Sequence, residues 1–169
     1  MLFTKSFSCN LDWGSLVGAF YRMYPSKYYP HVHEVYTINH QVLPELRQLK
    51  VQRIARVKYD LPPIVHYIIG PSIEYMVLED SCVDIDKKQI SHKTIGLTMR
   101  NTYSYEETAT FEIVDEGLCN YKCSTDFRIT GFSFLNSTLE TVAKHVVAEF
   151  SKNEAVKNAL LQAASNNDG

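Results

Sequence analysis

Hydrophobic and polar residues alternate through most of the chain after residue 30, with the period expected of strands that bury one face. The first two such stretches meet around Pro44, and four more follow between polar turns. Together with a short strand in which Phe3 and Phe7 flank Lys5, the predicted strands lie near 3–7, 31–42, 46–58, 72–84, 88–99, 103–114 and 118–130. Because most of the connections are too short for a crossover, the pattern predicts one antiparallel sheet of seven strands.

Two segments follow the helical period instead. Asp12 caps a predicted helix that buries Trp13, Leu16, Val17, Phe20 and Tyr24 before Pro25 stops it. The second helix runs from Ser137 to Ala164, with apolar positions at Leu139, Val142, Val146, Phe150, Leu160 and Leu161. A helix of this length crosses a whole sheet, so we predict an α+β fold in one domain, 1–165, with a disordered tail, 166–169. A sheet curled around such a helix leaves a hollow suited to apolar ligands.

The apolar segment 61–70 lies between two of the predicted strands. It opens with prolines, closes with Gly70-Pro71 and has room for a helix of only about two turns. One interpretation is ordinary core. The other is a lid over a lipid cavity or a loop that touches a membrane, formed by Pro62, Ile64, Val65, Tyr67, Ile68 and Ile69.

One basic residue occupies an inward position of a predicted strand. Arg53 shares its strand face with Val51, Ala55 and Val57, whereas Arg56 and Lys58 share the opposite face. If the aliphatic side chains point inward, Arg53 brings a cation into the concavity of the sheet, which requires a carboxylate or an anion beside it. A structural salt bridge and a contact with a ligand phosphate both meet this requirement.

Polar residues interrupt the apolar face of the terminal helix in its second half. Glu149, Asn153 and Lys157 fall beside or within that face, Lys152 lies at its edge, and Lys144 lies about two turns earlier. One interpretation is that this half leaves the core and becomes solvated. The other is that it borders a cavity mouth that holds a polar head group.

Composition narrows the possible functions. With 169 residues, 17 Lys+Arg, 19 Asp+Glu and a net charge of -2, the chain has no bulk positive charge for nucleic acid. No apolar run is long enough for a membrane span, and the first residues resemble neither a secretory signal nor a mitochondrial presequence. The four cysteines lack disulfide or redox spacing, and His31-x-His33 lacks a third metal ligand, so no metal or other cofactor is expected. No catalytic motif is present, so an enzyme is not expected.

Short motifs follow one another in a characteristic order. Trp13 starts the first helix, Tyr24-Pro25 ends it and Pro30-His31-Val32 follows. Later come Arg53-Ile54, Leu61-Pro62-Pro63-Ile64-Val65, Ile69-Gly70, Cys82-Val83-Asp84 and, in the terminal helix, Ser151-Lys152. From Phe7 to about Leu161 the chain resembles the PRELI/slowmo family of phospholipid-transfer proteins of the mitochondrial intermembrane space, the slowmo-like branch somewhat more closely.

The resemblance implies a helix-grip, START-like fold with a short lid helix and non-enzymatic transfer of phosphatidylserine or phosphatidic acid between the mitochondrial outer and inner membranes. Candidate residues for the lipid head group are Arg22, Arg53, Lys58, Lys144 and Lys152. Candidate cavity residues are Val142, Val146, Glu149, Phe150 and Asn153. The family contacts membranes transiently and pairs with a small helical protein bearing twin Cys-x9-Cys motifs, which would bring a chain without a presequence into the intermembrane space. We expect exposed aromatic residues, Tyr28 and Tyr29, beside the first helix.

Departures from the family pattern leave the head group open. Met23 stands where the family has a basic residue before Tyr-Pro, and Arg22 lies one position earlier, turned by about 100°. Glu149 replaces an asparagine, and a carboxylate there favours a head group with an ammonium. Two other functions stay open from the sequence. One is a cytosolic binding module for a sterol or signalling lipid, and the other is a hydrolase or cyclase on the same fold.

Overall fold

The computed structural model describes residues 2–60, 72–98, 103–129 and 153–166. These ranges contain seven strands, which are β1 (Leu2–Asn10), β2 (Val32–Leu43), β3 (Gln48–Asp60), β4 (Ser72–Asp84), β5 (Gln89–Gly96), β6 (Tyr103–Asp115) and β7 (Leu118–Ile129). They also contain two α-helices, α1 (Trp13–Arg22) and α2 (Asn153–Ser165), and a 3-10 turn at Pro44–Leu46.

All seven strands form one antiparallel sheet in the order β1-β7-β6-β5-β4-β3-β2. The predicted sheet is therefore confirmed. Strands β2 to β7 follow the chain order, and the first strand returns to pair with the last, which places Cys9 opposite Cys119. Strands β1 and β2 are the two edges of the sheet.

The inner face of the sheet carries the core. Ile90, Phe111 and Cys119 are fully buried there. Helix α1 packs on this face through Phe20, whose ring lies edge-on to that of Phe111 with 5.7 Å between centroids. Aromatic contacts of this kind add to the burial of apolar area that stabilises the domain.

Helix α1 begins as predicted and ends earlier than predicted. The Asp12 carboxylate accepts a hydrogen bond from the Ser15 backbone N–H at 3.0 Å, which satisfies one of the free donors at the helix N-terminus. The helix ends at Arg22 and not at Tyr24. The physical reason is that a residue before proline is disfavoured in the helical region, and Tyr24 precedes Pro25, to which it is joined by a cis peptide bond.

Helix α2 stays in the core. Val156, Ala159, Leu160 and Ala163 are buried, and the helix packs against α1 and β1. The interpretation that the second half of the terminal helix becomes solvated is therefore wrong for residues 153–165. Neither α1 nor α2 is long and apolar enough to cross a bilayer.

The expected exposure of two aromatic residues is also wrong. Tyr28 and Tyr29 pack against the hydrophobic core, because the chain after α1 folds back and Tyr29 meets the ring of Tyr24 at 5.1 Å between centroids. The exposed apolar side chains of the edge strand β2 are instead Tyr36, Ile38 and Val42.

Candidate ligand-binding site

Buried and partly buried polar side chains form a band across the middle of the inner face. In one row, Arg53, Glu79, Thr94, Glu107 and Thr125 lie opposite one another on successive strands from β3 to β7. The next inward row contains Val51, Ser81, His92, Ala109, Cys123 and Lys5. We call the eight residues Lys5, Arg53, Glu79, Ser81, His92, Thr94, Glu107 and Thr125 the polar band.

Apolar residues enclose the polar band on both sides. The inward row toward the β2–β3 turn contains Leu49, Val83, Ile90, Phe111, Tyr121 and Phe7. On the other side lie Ala55, Val77 and Tyr105. Polar groups in such surroundings need partners, because burial without a hydrogen bond or an ion pair is unfavourable.

Arg53 finds its partner directly across the sheet. Its Nε and Nη2 atoms donate to Glu79 Oε1 at 2.9 and 2.7 Å, and only 4% of the Arg53 side chain is exposed. The guanidinium also lies over the rings of Phe20 and Tyr21, 5.1 and 5.2 Å from their centroids. Of the two partners that the sequence leaves open for Arg53, the structure contains the carboxylate.

A second pair of opposite charges lies toward β1. The Lys5 ammonium is partly buried, and desolvation lowers its pKa while the charge of Glu107 acts in the opposite direction. The Glu107 carboxylate accepts a hydrogen bond from Thr125 Oγ1 at 2.9 Å. Burial and the field of Glu107 together raise the pKa of the nearby Cys123 thiol to about 11, so that thiol is protonated at neutral pH.

His92 lies between these pairs, and neither of its ring nitrogens has a hydrogen-bond partner among the described residues. Only 8% of the residue is exposed, and its ring stacks on Phe111 and meets Phe20 edge-on. Its Nδ1 atom lies 3.8 Å from Glu79 Oε2, beyond the range of a direct hydrogen bond.

An internal cavity of about 90 Å³ runs along the polar band. Its lining includes the ionisable residues Lys5, Arg53, Glu79, His92 and Glu107, and the apolar residues Met23, Val35, Val57, Val77 and Val156. Tyr24 and Tyr29 also line the cavity, and burial raises the pKa of both phenols. The described residues thus build a mostly apolar, partly open chamber with a balanced set of two cations and two carboxylates.

Comparison with protein families identifies the chain. A model of the PRELI-like family matches residues 15–164, which is most of the sequence. The chain belongs to the PRELI-like family. The resemblance drawn from the motif order is therefore confirmed, and with it a START-like arrangement of sheet and C-terminal helix.

Individual relatives of this PRELI-like protein are distant. It is similar to the protein UPS2, mitochondrial, of Saccharomyces cerevisiae, with 28% identity over 110 residues that cover 65% of this chain. The chain aligns with 48% of the length of that relative.

Two solved structures show the same fold at low identity. The ZhuI aromatase/cyclase of Streptomyces sp. R1128 has a TM-score of 0.58 at 11% identity, covering 100% of this chain and 96% of that one. The lipid transfer and protein localization domain of human StarD13 has a TM-score of 0.57 at 11% identity, covering 94% and 76%. One is named as an enzyme and the other as a lipid-transfer domain, so the shared fold does not decide the function.

The outer face of the PRELI-like sheet carries a second, larger concavity of about 1050 Å³. It is a trough that crosses all seven strands, and its outward side chains are polar, among them Thr4, Asn39, Lys50, Asp80, Ser91, Thr110 and Lys122. The inner cavity is the better candidate for an apolar ligand despite its smaller volume, because apolar side chains such as Met23, Val57 and Val77 line it, whereas the outward side chains of the trough are mostly polar.

The structure brings few of the predicted head-group residues together. Arg53 lies in the polar band, whereas Lys58 is exposed and, two residues from Arg56, projects from the outer face. Arg22 is exposed on the last turn of α1, where its guanidinium lies beside Gly18. Neither residue lines the cavity, while Met23, at the position where the family has a basic residue, does.

The remaining predicted site residues lie outside the described ranges, except for Asn153, which begins α2. Those outside are Lys144 and Lys152, the lid residues Pro62, Ile64, Val65, Tyr67, Ile68 and Ile69, and the cavity residues Val142, Val146, Glu149 and Phe150.

Sequence reasoning missed Lys5, Glu79, His92 and Glu107 as site residues. The signal that singled out Arg53 applies to all of them, since each occupies the same alternating position as buried or partly buried neighbours on its strand. Glu79, for example, lies between Val77 and Ser81, which are both buried. Ionisable residues at inward positions of the predicted strands are therefore the signal that could have found the charged members of the polar band.

Proposed function

We propose that this PRELI-like protein is a non-enzymatic phospholipid carrier that holds the lipid head group at the polar band. The observation that carries the proposal is the cavity on the inner face in which ionisable side chains lie between apolar rows. A phospholipid has the matching pattern, with a charged head joined to apolar chains. Family membership, the relation to UPS2 and a fold shared with a lipid-transfer domain support the same function.

The head group is phosphatidylserine or phosphatidic acid in this proposal, and the charges of the cavity favour the former. Arg53 and Lys5 can attract a phosphate, and Glu79 and Glu107 can attract an ammonium. A phosphate alone adds negative charge to a balanced chamber, whereas a head group that carries an ammonium also uses the carboxylates.

The size of the cavity supports a site for the head group alone and not for the whole lipid. A volume of about 90 Å³ is well below the several hundred Å³ of pockets that enclose larger ligands. Acyl chains therefore require movement of the surrounding elements. In our proposal the segment 62–70 is the lid that moves, and Lys144 and Lys152 of the terminal helix meet the phosphate as it passes.

The proposed place of action is the mitochondrial intermembrane space. The name of the yeast relative supports a mitochondrial location. We also propose a small twin Cys-x9-Cys partner, which requires an apolar surface on this chain. Edge strand β2 offers exposed apolar side chains on both faces of the sheet edge, because Tyr36 on the outer face, Val42 on the inner face and Ile38 between them are 55%, 64% and 52% exposed.

Lipid transfer between liposomes tests the proposal. Donor vesicles contain fluorescent phosphatidylserine or phosphatidic acid, and the protein is used with its co-expressed partner. We expect transfer of at least one lipid, and its loss when Arg53 and Glu79 are both replaced by methionine in a variant that still unfolds cooperatively. Transfer at the rate of protein-free vesicles would refute the proposed function.

A further inference from the structure

Glu79 uses its two carboxylate oxygens differently. Both hydrogen bonds from Arg53 end on Oε1, at 2.9 and 2.7 Å. The nearest ionisable neighbour of Oε2 is the imidazole of His92, with 3.8 Å between Oε2 and Nδ1. The salt bridge with Arg53 therefore leaves one acceptor atom of Glu79 available on the side of His92.

His92 is the second half of this arrangement. The residue is more than nine-tenths buried and lines the cavity, and within the described part of the chain no group forms a hydrogen bond with Nδ1 or Nε2. An unpartnered buried polar side chain is unfavourable, and native proteins keep few of them. Packing alone does not account for a histidine here, since Phe20 and Phe111 surround its ring and an apolar side chain would suit them as well.

We propose that Glu79 Oε2 and His92 Nδ1 form a subsite for a primary ammonium on the ligand. This inference rests on the proposed function, and it places the ammonium of the head group in contact with these two acceptor atoms. With His92 in its neutral tautomer, protonated at Nε2, both atoms are acceptors. Atoms 3.8 Å apart can both lie about 2.8 Å from one nitrogen, and an ammonium has three N–H groups to donate.

The charges around the subsite select a cation over an anion. A phosphate or carboxylate at this position would face the Glu79 carboxylate directly, and the guanidinium of Arg53 lies on the Oε1 side. The phosphate of the same lipid would therefore lie toward Arg53 or Lys5. The ammonium of phosphatidylserine and that of phosphatidylethanolamine present the same chemistry to the subsite.

Substitutions of His92 test the subsite without removing the Arg53 partner. His92→Phe removes the Nδ1 acceptor together with the Nε2–H donor and keeps an aromatic ring. His92→Asn keeps an acceptor oxygen near the position of Nδ1, whereas His92→Gln places its amide near Nε2. Each protein, with its partner, is assayed on phosphatidylcholine vesicles that carry phosphatidylserine, phosphatidylethanolamine or phosphatidic acid with the same acyl chains.

We expect His92→Phe to lower the transfer of amine-bearing lipids relative to phosphatidic acid by roughly tenfold or more, the effect of losing a hydrogen bond to a charged group. His92→Asn should retain more of this preference than His92→Gln. The midpoint of thermal unfolding of His92→Phe should stay the same or rise, because two unpartnered buried nitrogens are removed.

The failures of the two proposals are distinguishable. If the wild-type protein transfers lipid and His92→Phe changes all three lipids by the same factor, the subsite is refuted and the carrier function stands. The subsite is likewise refuted if the wild type transfers phosphatidic acid alone. If the wild type transfers none of the lipids, the proposed function fails, and the subsite fails with it. Should His92→Phe not fold, equal lipid preferences in His92→Asn and His92→Gln would refute the subsite.

Discussion

The two faces of the sheet hold ion pairs of the same length in different environments. On the outer face, Lys93 Nζ lies 2.7 Å from Glu106 Oε1, and both side chains are about half exposed, at 50% and 54%. On the inner face, Arg53 Nη2 lies 2.7 Å from Glu79 Oε1, and the exposed fractions are 4% and 11%. Water screens the first pair, whereas the second has exchanged water for protein.

The comparison shows that distance alone does not rank these interactions. An exposed pair contributes little, because water solvates each charge equally well when the pair is broken. Breaking a buried pair strongly lowers the free energy of unfolding, because removal of one partner leaves an uncompensated charge in the interior. Apolar residues would stabilise the inner face at least as well, so the buried charges suggest a role beyond stability, which in our proposal is ligand binding.

The largest difference in unfolding free energy between the two faces should come from alanine substitutions of two adjacent residues on β6. Phe111→Ala removes a fully buried ring and should lower the free energy of unfolding by about 3–5 kcal/mol. The outward neighbour Thr110→Ala should change it by no more than about 0.5 kcal/mol. Urea unfolding of both variants measures the difference, and equal losses would mean that the faces are not distinct in energy.

A second pair of variants compares the stability effects of replacing a buried and an exposed arginine on β3. Arg53→Met leaves Glu79 buried and unpaired and should lower the free energy of unfolding by about 3 kcal/mol. Arg56→Met on the outer face, where Glu34 and Glu74 remain exposed to water, should have a much smaller effect.

The double variant Arg53→Met/Glu79→Met should recover most of the stability lost in Arg53→Met, because no buried charge remains. Urea unfolding again provides the measurement. A double variant as unstable as Arg53→Met would show that the pair itself, and not the unpaired carboxylate, determines the loss.

An exposed carboxylate that caps a helix should contribute more to the free energy of unfolding than an exposed carboxylate in an ion pair. Asp12→Ala should lower the free energy of unfolding by about 1 kcal/mol through loss of the helix cap. Hydrogen bonds from Ser15 lower the pKa of Asp12, so the charged cap contributes fully above the ordinary carboxyl pKa. That contribution is lost as the pH falls through the lowered pKa of the folded state.

Unfolding of wild type and Asp12→Ala between neutral and acid pH checks this sign. The stability difference between the two proteins should shrink on acidification. In Asp12→Asn, which keeps a capping acceptor without a charge, the difference from Asp12→Ala should not depend on pH. A wild-type difference that grows at low pH would contradict the assigned role of the charged cap.

The smallest effect should come from the exposed ion pair itself. Lys93→Met removes the 2.7 Å contact with Glu106 and should change the free energy of unfolding by no more than about 0.5 kcal/mol, and by less at high salt. Denaturant unfolding at low and high ionic strength makes the measurement. A loss comparable with that of Arg53→Met would remove the distinction between the faces.

Most of the fold follows from the sequence because alternation is a local signal. The strands end within a few residues of the predicted ends, and Arg53 has the predicted inward orientation. The partner of Arg53 depends on register, which places Glu79 opposite it from 26 residues away. Local pattern does not contain that register, so the salt bridge and the polar band emerge only from the assembled sheet.

The same limit explains the errors around α1. Tyr28 and Tyr29 have no periodic pattern, and their burial depends on how the chain after Pro25 returns to the core. Arg22 and Met23 are neighbours in sequence, and only the end of the helix decides that Met23 faces the cavity while Arg22 faces solvent.

Mass spectrometry of the intact protein under native conditions tests the role of the polar band in lipid binding. The protein is purified with its partner and without added lipid, and the bound molecule is then identified after extraction. We expect one phospholipid per protein, with an amine-bearing head group, and its loss from the Arg53→Met/Glu79→Met variant. A sterol or another apolar molecule in place of phospholipid, or phospholipid that remains bound in that folded variant, would show that the polar band does not hold a phospholipid head group.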